Sequence, residues 1–230
     1  MKLTTKTKVY ELSQRSYIMG ILNVTPDSFS DGGEWNTVEK AVAHALEMVA
    51  DGADIIDIGG ESTRPGHTQI SDEEEIARIV PVIEALKKAV DVPLSIDTYK
   101  SAVARAACEA GVDIINDIWG CRYDPQIAAV AASFDVPIIL MHNREKPDYA
   151  FLIEDMLADL AESVRIAVSA GVGKGFPWMT KSLPENMLHH GLSCRGVADN
   201  HNCSGIGHCP ECHSLTPAGP AGCLSIRRRP

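Results

Sequence analysis

No run of apolar residues in this chain approaches the roughly 20 needed to cross a bilayer, and the N-terminal stretch MKLTTKTKVYEL has no hydrophobic signal core. Positive charge is also scarce. Lys and Arg number 21 against 31 Asp and Glu, a net charge of −10, and no basic patch interrupts that excess before the terminal RRRP. The first two absences argue against a membrane span and a secretory leader. The third argues against nucleic acid, whose phosphates such a charge repels. With 45% apolar residues in 230, the chain reads as a soluble globular protein, cytoplasmic by default, long enough to bury a core as one large or two small domains.

Cysteine is sparse and then abundant. Only Cys108 and Cys121 precede Gly175, whereas residues 175–230 carry five of the seven cysteines and five of the eight histidines. Charge changes at the same place: residues 1–174 hold 16 basic and 28 acidic side chains, residues 175–230 hold 5 and 3. A domain boundary is therefore placed between 174 and 175.

Before that boundary one plan repeats. Continuous apolar runs, YIMGILNV (17–24), DIIDIG (54–59), PLSID (93–97), DIIND (113–117) and PIILMH (137–142), read as parallel strands covered on both faces. Helical patterns lie between them. One has Asn36 as N-cap with Glu39 completing a capping box, and apolar positions at Val38, Val42, Ala45 and Val49. The next opens on Ser71 and Glu74 in the same arrangement, with Pro81 expected to kink it. Gly52, Gly111 and Gly171 close helices. Five strand-helix units of this length begin either an open doubly wound sheet or a (β/α)8 barrel. Cys108 and Cys121 read as core or helix-surface thiols, and His44 as part of a solvated helix face.

Polar residues gather where these strands end: Asn23, Glu61, Thr63, Arg64, Asp97, Asn116 and His142. In parallel α/β folds the loops leaving that edge converge on one mouth. The loop NVTPDSFSDGG (23–33) turns at Thr25-Pro26-Asp27 and offers oxygen ligands for a hard cation, with amides and hydroxyls for phosphate. The loop GGESTRPG (59–66) adds Thr63 and the planar fork of Arg64, which suits a phosphate group. Together they look like a clamp for a charged leaving group.

These two loops, with SIDT (95–98), NDIWG (116–120) and ILMHN (139–143) in this order and spacing, resemble dihydropteroate synthase, a pterin-binding enzyme of folate biosynthesis and a sulfonamide target. The resemblance covers residues 10 to 174. It implies a (β/α)8 TIM barrel and a transferase joining 4-aminobenzoate to 7,8-dihydropterin-6-ylmethyl diphosphate with release of pyrophosphate. It implies Mg²⁺ held at Asn23 and pterin bound by Asp97 and Asn116. Catalytic roles would fall to Asp27, Phe29, Thr63 and Arg64, while Ser28 and Pro65, with Thr63 and Arg64, would line the diphosphate and aminobenzoate loops. The partners implied are small molecules and, as in the family, a second copy of the chain.

The family continues with strands ending in Asp-Pro-Gly, Ser-Arg-Lys and Arg-Val-His, and none of these follows Gly171. Only the first five βα units are recognisable, which leaves a noncatalytic fragment or a pterin-binding relative as the alternative to an active, if impaired, synthase. In residues 175–230, Cys209-Pro-Glu-Cys212-His213 invites a zinc reading. Six prolines, seven glycines and little apolar periodicity favour instead a disordered tail, an out-of-frame reading or a fused remnant.

Overall fold

The computed structural model describes residues 2–25, 34–62, 69–146 and 148–173. The chain opens with a hairpin that the apolar pattern does not announce, β1 (Lys2–Thr4) paired antiparallel with β2 (Val9–Glu11), Leu3 opposite Tyr10. Strands of three residues are too short to show a period. Each expected apolar run then forms a strand: β3 (Met19–Asn23), β4 (Ile55–Gly59), β5 (Leu94–Asp97), β6 (Ile114–Asp117) and β7 (Ile138–Leu140). The last is shorter than PIILMH suggests, so His142 lies beyond it.

Helices α1 (Glu34–Ala50), α2 (Asp72–Ala89), α3 (Ser101–Ala110) and α4 (Gln126–Phe134) connect the strands, and α5 (Leu152–Ser169) follows β7. Among the described residues, no helix is long and apolar enough to cross a membrane. The strands pair parallel in the order β3-β4-β5-β6-β7, strictly as they occur in sequence. That order separates the two architectures left open above. A doubly wound sheet reverses its strand order at a switch point and places helices on both faces. Here there is no reversal, and the described helices pack on one face, as in an arc of a (β/α)8 barrel.

Alternation along the strands sorts side chains between the two faces. Leu22, Ile56, Ile58, Leu94, Ile96, Ile115 and Ile138 point outward into a core shared with Ala41, Ile79, Ile83, Leu86, Val103 and Ile127 of the helices. Met19, Ile55 and Ile114 point the other way, at the N-terminal end of the sheet, where Leu3, Tyr10 and Tyr17 cover them. The two tyrosine rings meet edge to face at 4.8 Å, and the Tyr10 hydroxyl donates to the Asp54 carbonyl at 2.9 Å. The hairpin thus closes the lower end of the inner face.

Two capping expectations are corrected. Helix α1 starts at Glu34, so Asn36 lies in its first turn rather than before it, where an N-cap must stand. Ser71 does cap α2 by accepting from the Glu74 amide at 3.2 Å. The Glu74 carboxylate, however, turns to Arg78 one turn on, a full charge pair being stronger than a return bond to a neutral amide. Pro81 is exposed inside an uninterrupted α2, where water can take the carbonyl it leaves unbonded. Cys108 and Cys121 are buried, and His44 is exposed on α1.

Gly120 ends the turn after β6 with φ +58°, and a Cβ there would lie 2.7 Å from Ser163 Oγ and 2.9 Å from the Met141 carbonyl. Gly120→Ala should therefore lose about 1–3 kcal/mol of stability from left-handed strain and overpacking. Urea denaturation measures it, and an unchanged midpoint would mean that the turn can move away from α5.

Candidate active site

Register places one row of candidate residues across the upper edge of the sheet. Asn23 pairs with Gly59, Gly59 with Asp97, and Asp97 with Asn116. All four residues share the inner face with Met19, Ile55 and Ile114, because each lies an even number of positions from one of them or in register with one that does. Gly59 keeps the middle of the row open. A Cβ on it would sit 3.4 Å from Asn23 Oδ1 and 3.8 Å from an Asp97 carboxylate oxygen. Three of the predicted residues, from β3, β5 and β6, are thereby brought to one place.

Below the row lies Asp57, which sequence reasoning missed. It is 3% exposed, in the middle of β4, and its Oδ2 accepts from Asn116 Nδ2 at 3.0 Å. Its Oδ1 is buried with no hydrogen-bond partner among the described residues. Burial pushes its pKa up from 3.8 to about 6, against the opposing pull of Ser95 and Asn116. The fold therefore holds the Asp57 proton more tightly than the unfolded chain does. Its contribution to stability is complete below about pH 4 and is lost as pH rises through about 6. The signal was available: Asp57 is a carboxylate inside an otherwise apolar run, two positions before Gly59 and so on the same face.

A second polar group was also missed. Lys100, 5% exposed, lies 2.7 Å from Glu61 and 2.9 Å from Glu75, carboxylates that are themselves 3% and 2% exposed. Lys100 Nζ also donates to the Ile70 carbonyl at 2.8 Å, and the Ile70 amide donates back to Glu61 at 3.1 Å. The Tyr99 hydroxyl donates to the other Glu61 oxygen at 2.6 Å. Burial pushes the Glu61 carboxyl up, but bonds from Lys100, Tyr99 and Ile70 outweigh it and hold it below the usual carboxylate range. Burial prevails at Glu75, which is raised. Glu61 is thus held by Lys100, Tyr99 and Ile70, and the chain at 61 and at 70 is tied to one ammonium group.

Asp27, Ser28 and Phe29, and likewise Thr63, Arg64 and Pro65, lie outside the described residues. His142 is drawn to α5. Its Nε2 is 2.9 Å from Asp159, which also receives Arg144 at 2.6 Å and Arg122 at 3.1 Å. Burial pushes the Cys108 thiol up to about 12 and raises Cys121 as well, so neither is a ready nucleophile. Among the described residues, no three His, Cys, Asp or Glu side chains cluster as a metal site. The hard amide oxygen of Asn23, beside Asp97, nonetheless suits a cation such as Mg²⁺, which takes one or two protein oxygens and completes its shell with water and phosphate.

The row lies on residues that match a known family model. Residues 19–175 fit the model of the pterin binding enzymes. The chain belongs to this family. Within it, the chain is similar to dihydropteroate synthase of Bacillus subtilis, at 57% identity over 168 residues, covering 73% of this chain and 59% of that protein. A Streptococcus pyogenes dihydropteroate synthase is 47% identical over 203 residues, covering 79% and 76%. Solved structures agree. The Clostridium difficile dihydropteroate synthase determined in the presence of pteroic acid superposes with a TM-score of 0.70 at 48% identity, covering 72% of this chain and 63% of that one. The Xanthomonas albilineans enzyme with 4-aminobenzoic acid gives 0.69 at 45%, covering 74% and 62%. Among its described residues this pterin-binding family member shows five βα units of the TIM-barrel family fold, and the chain spans about three fifths of the Bacillus subtilis protein's length.

Lys100→Met should cost about 3–5 kcal/mol, since it strands two buried carboxylates. Lys100→Arg should retain part of that stability. Equilibrium denaturation of both variants checks this, and a parent-like midpoint for Lys100→Met would mean that water reaches Glu61 and Glu75.

Proposed function

We propose that this chain is a dihydropteroate synthase, joining 7,8-dihydropterin-6-ylmethyl diphosphate to 4-aminobenzoate with loss of pyrophosphate. The observation that carries the proposal is the row Asn23, Gly59, Asp97, Asn116 on the inner face, at the C-terminal ends of β3 to β6. The reaction forms a bond from the arylamine nitrogen to the exocyclic carbon of the pterin and breaks that carbon's bond to oxygen. Pyrophosphate leaves with the electron pair, and the amine gives up a proton.

The residues match these demands. A pterin edge presents N–H donors, which the Asp97 carboxylate and the Asn116 amide oxygen can receive in a site shielded from water. Asn23 would hold Mg²⁺, which when bound neutralises charge on the departing diphosphate. Arg64 and Thr63 would bind the leaving group, with Asp27 and Ser28 in the facing loop. Phe29 and Pro65 would enclose the aminobenzoate and exclude water, so that the electrophilic carbon meets the amine first. Reagents of this size and polarity fit a cytoplasmic enzyme, and a homodimer is the assembly that the family resemblance suggests.

Residues 175–230 form no part of this reading: they are a separate tail, and the family match ends at residue 175. The chain's partial span of its relatives supports a second reading, a pterin-binding fragment without turnover. The two readings separate when the 230-residue chain is assayed with both substrates and Mg²⁺ beside a version given a family-like C-terminal third. Dihydropteroate from the chain alone at a comparable rate supports the synthase. Pterin binding without product supports the fragment.

Asp97→Asn should weaken pterin binding by about 1–3 kcal/mol, because the amide presents a donor where the ligand also donates. Asn23→Ala should weaken Mg²⁺-dependent pyrophosphate binding. Calorimetry tests both, and parent-like affinities would remove these residues from the site.

A further inference from the structure

Asn116 has two ends, and only one suits a ligand that donates. Its NH2 group points to Asp57 Oδ2 at 3.0 Å, which leaves Oδ1 as the acceptor. An amide alone does not choose between these orientations. A carboxylate beside it does, because the turned amide would set oxygen against oxygen in a dry interior. Asp57 is buried, and among the described residues it takes part in no ion pair and its second oxygen has no hydrogen-bond partner. Its charged form is held at a cost, since burial raises its pKa to about 6 even against the opposing bonds of Ser95 and Asn116. A purely structural residue at this point of β4 would be better replaced by an apolar one, as its neighbours Ile56 and Ile58 are.

We propose that Asp57 is a positioning residue: it locks the Asn116 amide so that the site presents an acceptor, and thereby selects ligands whose buried edge carries N–H donors. The proposal rests on the pterin reading for the identity of the ligand but not for the lock itself. Asp57 acts through Asn116 and takes no part in bond making. Its oxygens lie one layer beneath the row that would meet the ligand, Ser95 being its register partner where Asp97 is that of Gly59.

The test has two arms on the full chain. In the first, 6-hydroxymethylpterin is titrated calorimetrically into the parent, Asp57→Asn, Asn116→Ala and the double variant. Asp57→Asn should weaken binding about tenfold, the loss of a discriminating hydrogen bond, but by less than about twofold when Asn116 is already Ala. It should also melt no lower than the parent at neutral pH, because it removes a buried charge. Equal losses in both backgrounds, or none in either, would overturn the lock. The second arm needs no ligand. In the parent, the Asn116 side-chain amide protons should give two well-separated NMR signals protected from exchange, and Asp57→Ala should collapse both the separation and the protection. Signals insensitive to Asp57→Ala would overturn the proposal even if the pterin binds. If the parent fails to bind the pterin, the functional reading of this chain fails, and the NMR arm still decides whether Asp57 holds Asn116.

Discussion

A single ammonium group organises the upper edge of this sheet. Lys100 follows β5, Glu61 follows β4, Glu75 belongs to α2, and Ile70 stands where the chain returns to that helix. Two carboxylates this deep would repel each other and lose their hydration. With the lysine between them, and with Tyr99 and the Ile70 amide filling remaining valences, the group tolerates burial. The end of β4 is fixed to α2 as a result. Gly60 lets strand and helix approach so closely that a Cβ there would lie 2.7 Å from Ile79 Cγ2. Arg78 adds a bond to the Gly60 carbonyl from the same helix. The position of Gly59, and hence the spacing of Asn23 from Asp97, follows from that attachment.

The two faces of the sheet obey different rules. Outward residues are aliphatic up to Asp117 at the end of β6, because helices cover them. Inward residues change character from bottom to top: Met19, Ile55 and Ile114 beneath the hairpin, then Asp57 and Ser95, then Asn23, Asp97 and Asn116. Polar groups are placed where the interior opens, at the height where a ligand could satisfy them. Asp57 is the exception. It is charged chemistry one layer lower, and burial raises its pKa to about 6.

Much of this was legible in the sequence. Continuous β-branched runs ending in polar residues marked all five parallel strands, and the linked motifs of residues 23 to 143 carried the family. Asn23, Asp97 and Asn116 were readable because each ends a run. Asp57 was not, since it lies inside one and only the alternation of faces separates it from Ile56 and Ile58. Lys100, Glu75 and Tyr99 were hidden for a different reason. Their partners lie 25 to 39 positions away, a separation that no local pattern encodes. The β1–β2 hairpin escaped because three-residue strands have no measurable period, and α4 ends on Asp135 in the left-handed region where a glycine would have announced the stop.

The hairpin also bears on access. It covers the inner face beneath Met19, Ile55 and Ile114, so among the described residues a molecule reaching Asp97 and Asn116 has its way in and out at the C-terminal ends of the strands rather than at the hairpin.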